Sequence, residues 1–186
     1  AYELLIATAF NLLYNDGKIP PLTLATIAQE AEVNYFHKPC GMLDQCVVAF
    51  GGLVFLDFAS TSLPHVEKID FSLPGYDLVL VNTGSHSTLT EYYKETRDDI
   101  FKVTAYFKAN SLREVPFEKF QKELPTLYQK LGGRAVNRAL HVFGENERVL
   151  QAKNAFAHHD IPGVLAAIRG SGASSLAYLQ NLTYPG

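Results

Sequence analysis

The segment KPCGMLDQCVVAFGGLVFLDF, residues 38–58, carries the main evidence for both the fold and a site. A carboxylate, Asp44, follows Gly41 in a tight turn, and a run of apolar residues comes after it. The glycine pair at 51–52 interrupts that run, which indicates that a short helix over 42–50 ends there. The apolar residues beyond the glycines are typical of a buried strand. We therefore predict a turn, a helix and a strand in succession, with Asp44 near the start of the helix.

The remaining segments place strands in the first half of the chain and helices mainly in the second. Short apolar runs bounded by glycine or proline predict strands, and apolar residues spaced three and four apart predict helices. The predicted strands cover 53–56, 66–71 and 77–82. The predicted helices cover 2–14, 22–32, 42–50, 88–109, two short segments that open at Pro116 and Pro125, 134–158 and 161–169. Within 88–109 the apolar residues Ile100, Val103 and Phe107 recur at helical spacing. The helix at 134–158 is expected to carry four apolar residues inward, namely Val142, Phe143, Val149 and Leu150. This order favours an α+β fold.

The composition excludes several classes of protein. A chain of 186 residues suits one domain or two small lobes, and its 47% hydrophobic and 19% charged residues exclude a disordered chain. Sixteen basic and nineteen acidic residues give a net charge of −3, which offers no electrostatic case for binding nucleic acid or an anionic membrane. Two cysteines are too few for a disulfide framework or a four-ligand zinc site, so no metal site is predicted and a reducing cytoplasm is expected. No apolar run reaches the roughly 20 residues that span a bilayer.

Two segments contain residue types that could carry chemistry. Asp44, on its glycine-containing turn, could act as a general base or accept a hydrogen bond from a hydroxyl group. The alternative for Asp44 is a structural role as the N-cap of the helix that follows. The sequence GSGASS at 170–175 could present backbone N–H groups to an anion, but it lacks the Lys-Ser/Thr pair of a phosphate loop. A turn of small residues between helices is the favoured interpretation there.

Residues 40–45 resemble the Cys-Gly-Ile-Met-Asp-Gln signature of galactokinases, which belong to the GHMP superfamily of small-molecule kinases. Further stretches resemble the family in the same order along the chain. They are the strand at 52–59, an Asn-Ser and Ser-Glu-Tyr stretch at 81–93, Ser-Leu-Arg-Glu-Val at 111–115 and an Arg-Ala-x-His-Val-x-x-Glu helix at 138–148. The resemblance implies a mixed GHMP-kinase-like fold, with 1–62 as the remainder of the N-terminal lobe and 63–186 as part of the C-terminal lobe.

The resemblance also implies a reaction, the transfer of the ATP γ-phosphoryl group to the C1 hydroxyl of galactose. Asp44 matches the family's catalytic aspartate, which takes the proton from that hydroxyl. Gly41 matches the glycine whose backbone approaches the sugar, where a side chain would fill the space that a hydroxyl needs. ATP, Mg²⁺ and galactose are the implied cofactors and partners, and no residue of this chain is matched to the nucleotide.

One tyrosine of the family's Ser-Glu-Tyr stretch contacts the sugar, and two tyrosines compete for that role here. Tyr92 follows Glu91, as in the family dipeptide, whereas counting back from 111–115 without a gap selects Tyr93. We prefer Tyr93, and the alternative is that both tyrosines are ordinary residues at a helix start. The family's following arginines are replaced here by the sequence at 94–97, Lys-Glu-Thr-Arg.

Two other candidate segments lose their functional interpretation under the resemblance. The polar residues of the long helix are expected to form structural ion pairs or solvated faces, and they are Arg138, His141, Glu145 and Arg148. The segment 170–175 falls where the family carries a Glu-Ser-His-x-Ser-Leu stretch, not where it carries the nucleotide loop.

Several motifs of the family are not matched within these 186 residues. A loop ending in Ser-Ser-Ser-Ala would precede the helix that opens at 1–5, and the family's Arg and Glu-His-x-Asp sugar motif would lie further upstream. The resemblance therefore implies a middle to C-terminal part of a galactokinase, which alone is expected to be inactive. The apolar face of 2–14 is expected to be exposed or to self-associate. Alternatives are a related regulator that binds sugar and ATP without turnover, or a kinase for a related sugar.

Overall fold

The computed structural model describes residues 2–37, 40–59, 63–82 and 90–181. They form two compact units, of which the first ends at Phe71 and the second begins at Ser72. The first unit contains helices and a two-stranded sheet, and the described part of the second is helical. This mixture confirms the α+β prediction. The predicted lobe boundary after residue 62 refers to the family's lobes and stays a prediction.

The first unit packs three helices beside the small sheet. Its elements are α1 (Tyr2–Asn15), α2 (Pro21–Glu30), a π-helical turn (Ala31–Tyr35), α3 (Leu43–Phe50), β1 (Leu53–Asp57) and β2 (His65–Ile69). Pro21 opens α2 at a position where its missing N–H is not needed. The buried side chain of Asn11 joins α1 to the segment before α2, because its amide donates to the carbonyl of Ile19 and accepts from the Ile19 N–H, both at 3.1 Å.

Helix α1 leaves most of its apolar side chains in solvent. Leu4 is buried, whereas Leu5, Leu12 and Leu13 are each more than 60% exposed. This exposure agrees with the prediction for the apolar face of residues 2–14. Self-association through that face stays a prediction.

The sheet contains two of the three predicted strands. Strands β1 and β2 pair antiparallel, with Leu53 opposite Ile69 and Asp57 opposite His65. Strand β1 is half-buried along its length and not fully buried as predicted. The third prediction is wrong, since the described residues at 76–82 form no strand and Leu80 is 99% exposed. An apolar run becomes a buried strand only where a neighbouring strand satisfies its backbone, and the described residues supply none there.

The second unit is a bundle around one apolar core. Its elements are α4 (Thr90–Tyr106), a 3₁₀ turn (Leu112–Glu114), α5 (Phe117–Leu131), α6 (Gly133–Ala157), α7 (Ile161–Ser174) and a π-helical turn (Ser175–Leu179). Val103, Phe120 and Val136 are fully buried, and the rings of Phe120 and Phe143 lie 4.9 Å apart. None of the described helices is long and apolar enough to cross a membrane.

Two helix predictions for this unit are corrected by the structure. Pro125 lies inside α5 and does not open a second helix. Phe120 and Leu127 on either side of it are both fully buried, and this packing holds the helix together across the proline. The predicted inward positions of Val149 and Leu150 on α6 are also wrong, because both side chains are nearly half exposed.

Helix α7 runs five residues beyond its predicted end at 169. Asp160 caps its start by accepting the N–H of Gly163 at 3.0 Å, and a Cβ at Gly163 would clash with the Asp160 carboxylate. The segment 170–175 therefore lies within α7 and the start of the π-helical turn. Both interpretations of that segment, the turn and the anion cradle, are wrong, because its backbone N–H groups belong to the helix.

Candidate functional site

The turn before α3 places Asp44 at the start of a helix. Met42 is the N-cap residue, with φ −98° and ψ 0°, and Asp44 is the second residue of α3. The N-cap interpretation of Asp44 is therefore wrong. Its carboxylate is exposed in the first turn of α3, where the helix dipole favours a negative charge.

Helix α3 packs against α2, and this packing holds the turn before α3 in place. Cys46 on α3 is fully buried, as is Ala25 on α2, and the Cys46 N–H donates to the Met42 carbonyl at 2.9 Å. Burial raises the pKa of the Cys46 thiol, so this side chain stays protonated and acts as a small apolar residue. Two residues of the predicted segment, Lys38 and Pro39, lie outside the described residues.

Gly41 has open space where a side chain would stand. A Cβ built on Gly41 would meet no atom within 4 Å, so packing inside the described chain does not require a glycine there. Gly41 and Asp44 are both exposed, and the two residues that follow them, Gln45 and Cys46, are buried. An open backbone position and an exposed carboxylate thus lie on either side of the N-cap residue Met42, at the start of α3.

The two candidate tyrosines lie in the first turn of α4, in the second unit. Tyr92 is half-buried and Tyr93 is 58% exposed. Both line a hollow of about 10 Å³, whose other walls are Thr96, Arg138, Gln180 and Asn181. This volume is barely that of one water molecule, so the hollow by itself does not accept a sugar. The choice between the two hydroxyl groups stays a prediction.

A buried carboxylate that the sequence reasoning missed lies nearly two turns beyond the tyrosines on α4. Asp99 is 2% exposed and accepts hydrogen bonds from Lys102 Nζ (2.7 Å), Arg134 Nε (2.7 Å) and Arg138 Nη1 (2.8 Å). Burial alone would raise the pKa of Asp99, but the hydrogen bonds and charges of Lys102 and Arg134 outweigh it and lower that pKa. The signal was present in the sequence, because Asp99 lies four residues before buried Val103 on the same helix face.

Arg138 links this carboxylate to the end of the chain's last described helix. Its side chain is 6% exposed, and its Nε donates to the backbone carbonyl of Leu179 at 3.3 Å. Arg138 is thus an ion-pair residue, as predicted, although it is buried and not solvated. It also forms one wall of the hollow that contains the two tyrosines.

The other polar residues of α6 join it to α7. His141 Nδ1 lies 2.9 Å from Ser174 Oγ and 4.0 Å from a Glu145 carboxylate oxygen, while Arg148 Nε donates to Glu145 at 2.7 Å. Burial and the charge of Arg148 lower the pKa of His141. The charge of Glu145 acts in the opposite direction but does not outweigh them. Since Ser174 and Glu145 face the same ring nitrogen, the group lacks the relay geometry of a Ser-His-acid triad. The network is structural, as predicted for these positions.

Comparisons with known proteins bear on the resemblance at 40–45. The galactokinase of Thermotoga neapolitana is 34% identical over 157 residues, which make up 83% of this chain and 43% of that protein. The galactokinase of Clostridium tetani is 32% identical over 155 residues, 81% of this chain and 39% of that protein. The chain belongs to the galactokinase family. No family model matches it.

The fold agrees with that of a solved galactokinase. This chain superposes on the crystal structure of Lactococcus lactis galactokinase complexed with galactose with a TM-score of 0.68 at 21% identity. The superposition covers 95% of this chain and 46% of that one. The chain spans about two fifths of the galactokinases that it matches in sequence. Within the described residues, no three His, Cys, Asp or Glu side chains form a group that could hold a metal ion.

Proposed function

We propose that these residues are part of a galactokinase, which transfers the γ-phosphoryl group of ATP to the C1 hydroxyl of galactose. The observation that carries the proposal is the Cys-Gly-x-x-Asp-Gln pattern at 40–45 in a chain of this family, with Asp44 exposed in the first turn of α3. ATP with Mg²⁺ is the proposed donor, and no residue of this chain is assigned to either. A cytoplasmic location and the division into GHMP lobes after residue 62 belong to the same proposal.

Asp44 is the proposed general base. Its carboxylate accepts the proton of the C1 hydroxyl while that oxygen forms its bond to the γ-phosphorus and the bond from phosphorus to the ADP oxygen breaks. The proton then resides on Asp44 and the electron pair of the broken bond on ADP. The open space beside Gly41 suits the close approach of a sugar hydroxyl to the backbone.

The first test compares the complete protein with the 186 residues alone. We expect the complete protein to form galactose 1-phosphate from galactose, ATP and Mg²⁺, and the 186 residues to form none. Phosphoryl transfer depends on positioned phosphates, and no nucleotide loop is assigned in this chain. Product release can be followed by a coupled ADP assay.

Each other outcome of this test has a defined meaning. Turnover by the 186 residues alone would contradict their proposed inactivity. Binding of galactose and ATP by the complete protein with no product would replace the kinase with the regulator, the second candidate. Preferential phosphorylation of another sugar would keep the reaction and change the substrate.

Tyr93 is expected to contribute more to sugar binding than Tyr92. Loss of one hydrogen bond to a sugar hydroxyl costs about 0.5–1.5 kcal/mol, so Tyr93→Phe should raise the KM for galactose about 2- to 12-fold. The half-buried Tyr92 serves as the matched control through Tyr92→Phe, measured in the complete protein. A larger rise of the galactose KM for Tyr92→Phe would assign the sugar contact to Tyr92.

A further inference from the structure

Two glutamine side chains from two helices hold Cys40, the residue directly before Gly41. Gln29 on α2 donates from Nε2 to the Cys40 carbonyl oxygen at 3.3 Å. Gln45 on α3 donates from Nε2 to the Cys40 sulfur at 3.8 Å. Backbone and side chain of the same residue are therefore tied separately, and the segment that contains Gly41 runs from this double attachment to the cap of α3.

The buried position of Gln45 leaves one of its polar atoms without a partner, which is unfavourable for a residue that serves stability alone. Gln45 is 5% exposed, and its Oε1 is buried without a hydrogen-bond partner among the described residues. Its donor is used on a thiol sulfur, which is a weak acceptor. Exchanging the amide oxygen and nitrogen leaves one buried polar atom unpaired in either orientation. An apolar side chain of the same length would remove that unpaired atom.

The site explains why a glutamine is useful there. Gln45 directly follows Asp44 on α3, so one residue faces outward as the carboxylate while the next faces inward toward Cys40. The reach from Gln45 back to Cys40 closes a short ring of chain that contains both Gly41 and Asp44. Closing this ring restricts the conformations that the turn can adopt. It therefore also restricts the distance between the Gly41 backbone and the Asp44 carboxylate.

We propose that Gln45 is a positioning residue for the phosphoryl transfer, acting through its hydrogen bond to Cys40 on the turn that presents Gly41 and Asp44. The inference rests on the proposed function for the reaction itself. It rests on the structure for the link between Gln45 and Cys40. Gln45 does not need to touch the sugar or the nucleotide in this role.

The test is Gln45→Met in the complete protein, because methionine keeps the length of the side chain and removes both polar atoms. We expect kcat for galactose to fall about 10- to 100-fold, since small displacements of reacting groups are costly, with the KM for ATP unchanged. Thermal stability should stay equal or rise. The Cys40 thiol should react faster with a disulfide reagent such as Ellman's reagent, and Cys40→Ser identifies its share of the signal.

The control is Val48→Met, which places the same side chain at a 43% exposed position of the same helix. It should change neither kcat nor the thiol rate. The proposal would be overturned if kcat of Gln45→Met were unchanged. It would also be overturned if kcat fell together with thermal stability while the thiol rate stayed the same. If the unmodified protein phosphorylates no galactose, the proposed function fails. In that case the thiol rate decides separately whether Gln45 restrains the turn, and an unchanged rate overturns this inference as well.

Discussion

Asp44→Asn in the complete protein is expected to lower kcat for galactose phosphorylation by about 10²–10⁴-fold, the usual contribution of a general base. The amide keeps the size of the side chain and cannot take a proton, which the proposed role of Asp44 as the general base requires. Because Asp44 is exposed and does not cap α3, the thermal unfolding midpoint should change little. Steady-state kinetics and a thermal melt of the same preparation measure both quantities.

A matched control separates the site from a general effect of charge. Asp70 is an exposed carboxylate in the same unit, so Asp70→Asn removes the same charge away from the turn and should leave kcat unchanged. The KM values for galactose and ATP should rise less in Asp44→Asn than kcat falls, since a base acts mainly in the transition state. A kcat for Asp44→Asn close to that of the unmodified protein would show that another group takes the proton.

The local pattern of the sequence predicted most of the helices and two of the three strands. The glycine pair at 51–52 ends α3 with Gly51 and Gly52 at φ 64° and 71°, a conformation that glycine adopts without cost. Ile100, Val103 and Phe107 line the core as their spacing predicted. These features depend on neighbours in the chain, which a sequence pattern records directly.

The features that the sequence did not predict depend on contacts between distant residues. Pro125 is tolerated inside α5 because side chains of other helices bury both of its flanks. The apolar pattern at 77–82 describes a strand, but a strand requires a partner that the pattern does not contain. At the candidate site, the motif predicted roles for Asp44 and Gly41, whereas the link from Gln45 to Cys40 is visible only in three dimensions.

Among the single variants proposed, Asp99→Asn is expected to lower the free energy of unfolding the most, because the buried Asp99 carboxylate balances the charge of Arg138. Removing one member of a buried ion pair typically costs about 3–5 kcal/mol, since the remaining charge is left without compensation. Arg138 is 6% exposed and cannot return to water, whereas Lys102 and Arg134 are about half exposed and can. We therefore expect a loss of about 3 kcal/mol in the free energy of unfolding, measured in urea on the complete protein.

The neighbouring residue supplies the control. Asp98 pairs with Arg97 at 3.7 Å with both side chains about half exposed, so Asp98→Asn should cost less than about 1 kcal/mol. Equal midpoints for Asp99→Asn and Asp98→Asn would contradict the importance of the buried carboxylate.

The effect of Asp99 should also depend on pH in a defined direction. The pKa of Asp99 is lower in the folded protein than the value of about 3.9 in an unfolded chain, so the folded state binds its proton less readily. Its contribution is complete above about pH 4 and is lost as the pH falls through the lowered pKa. The stability difference between Asp99→Asn and the unmodified protein should therefore be constant near neutral pH and shrink in acid.

A double variant distinguishes the ion pair from the general cost of altering a core position. If the unpaired charge of Arg138 causes most of the loss in Asp99→Asn, then Arg138→Met should remove that penalty, and the double variant should be less destabilised than the sum of the two single ones. The coupling should be positive and at least about 1 kcal/mol, although Arg138→Met also gives up the hydrogen bond to the Leu179 carbonyl. Strict additivity of the two losses would show that Asp99 stabilises the second unit through Lys102 and Arg134, and that Arg138 is held in place by its carbonyl partner and its packing alone.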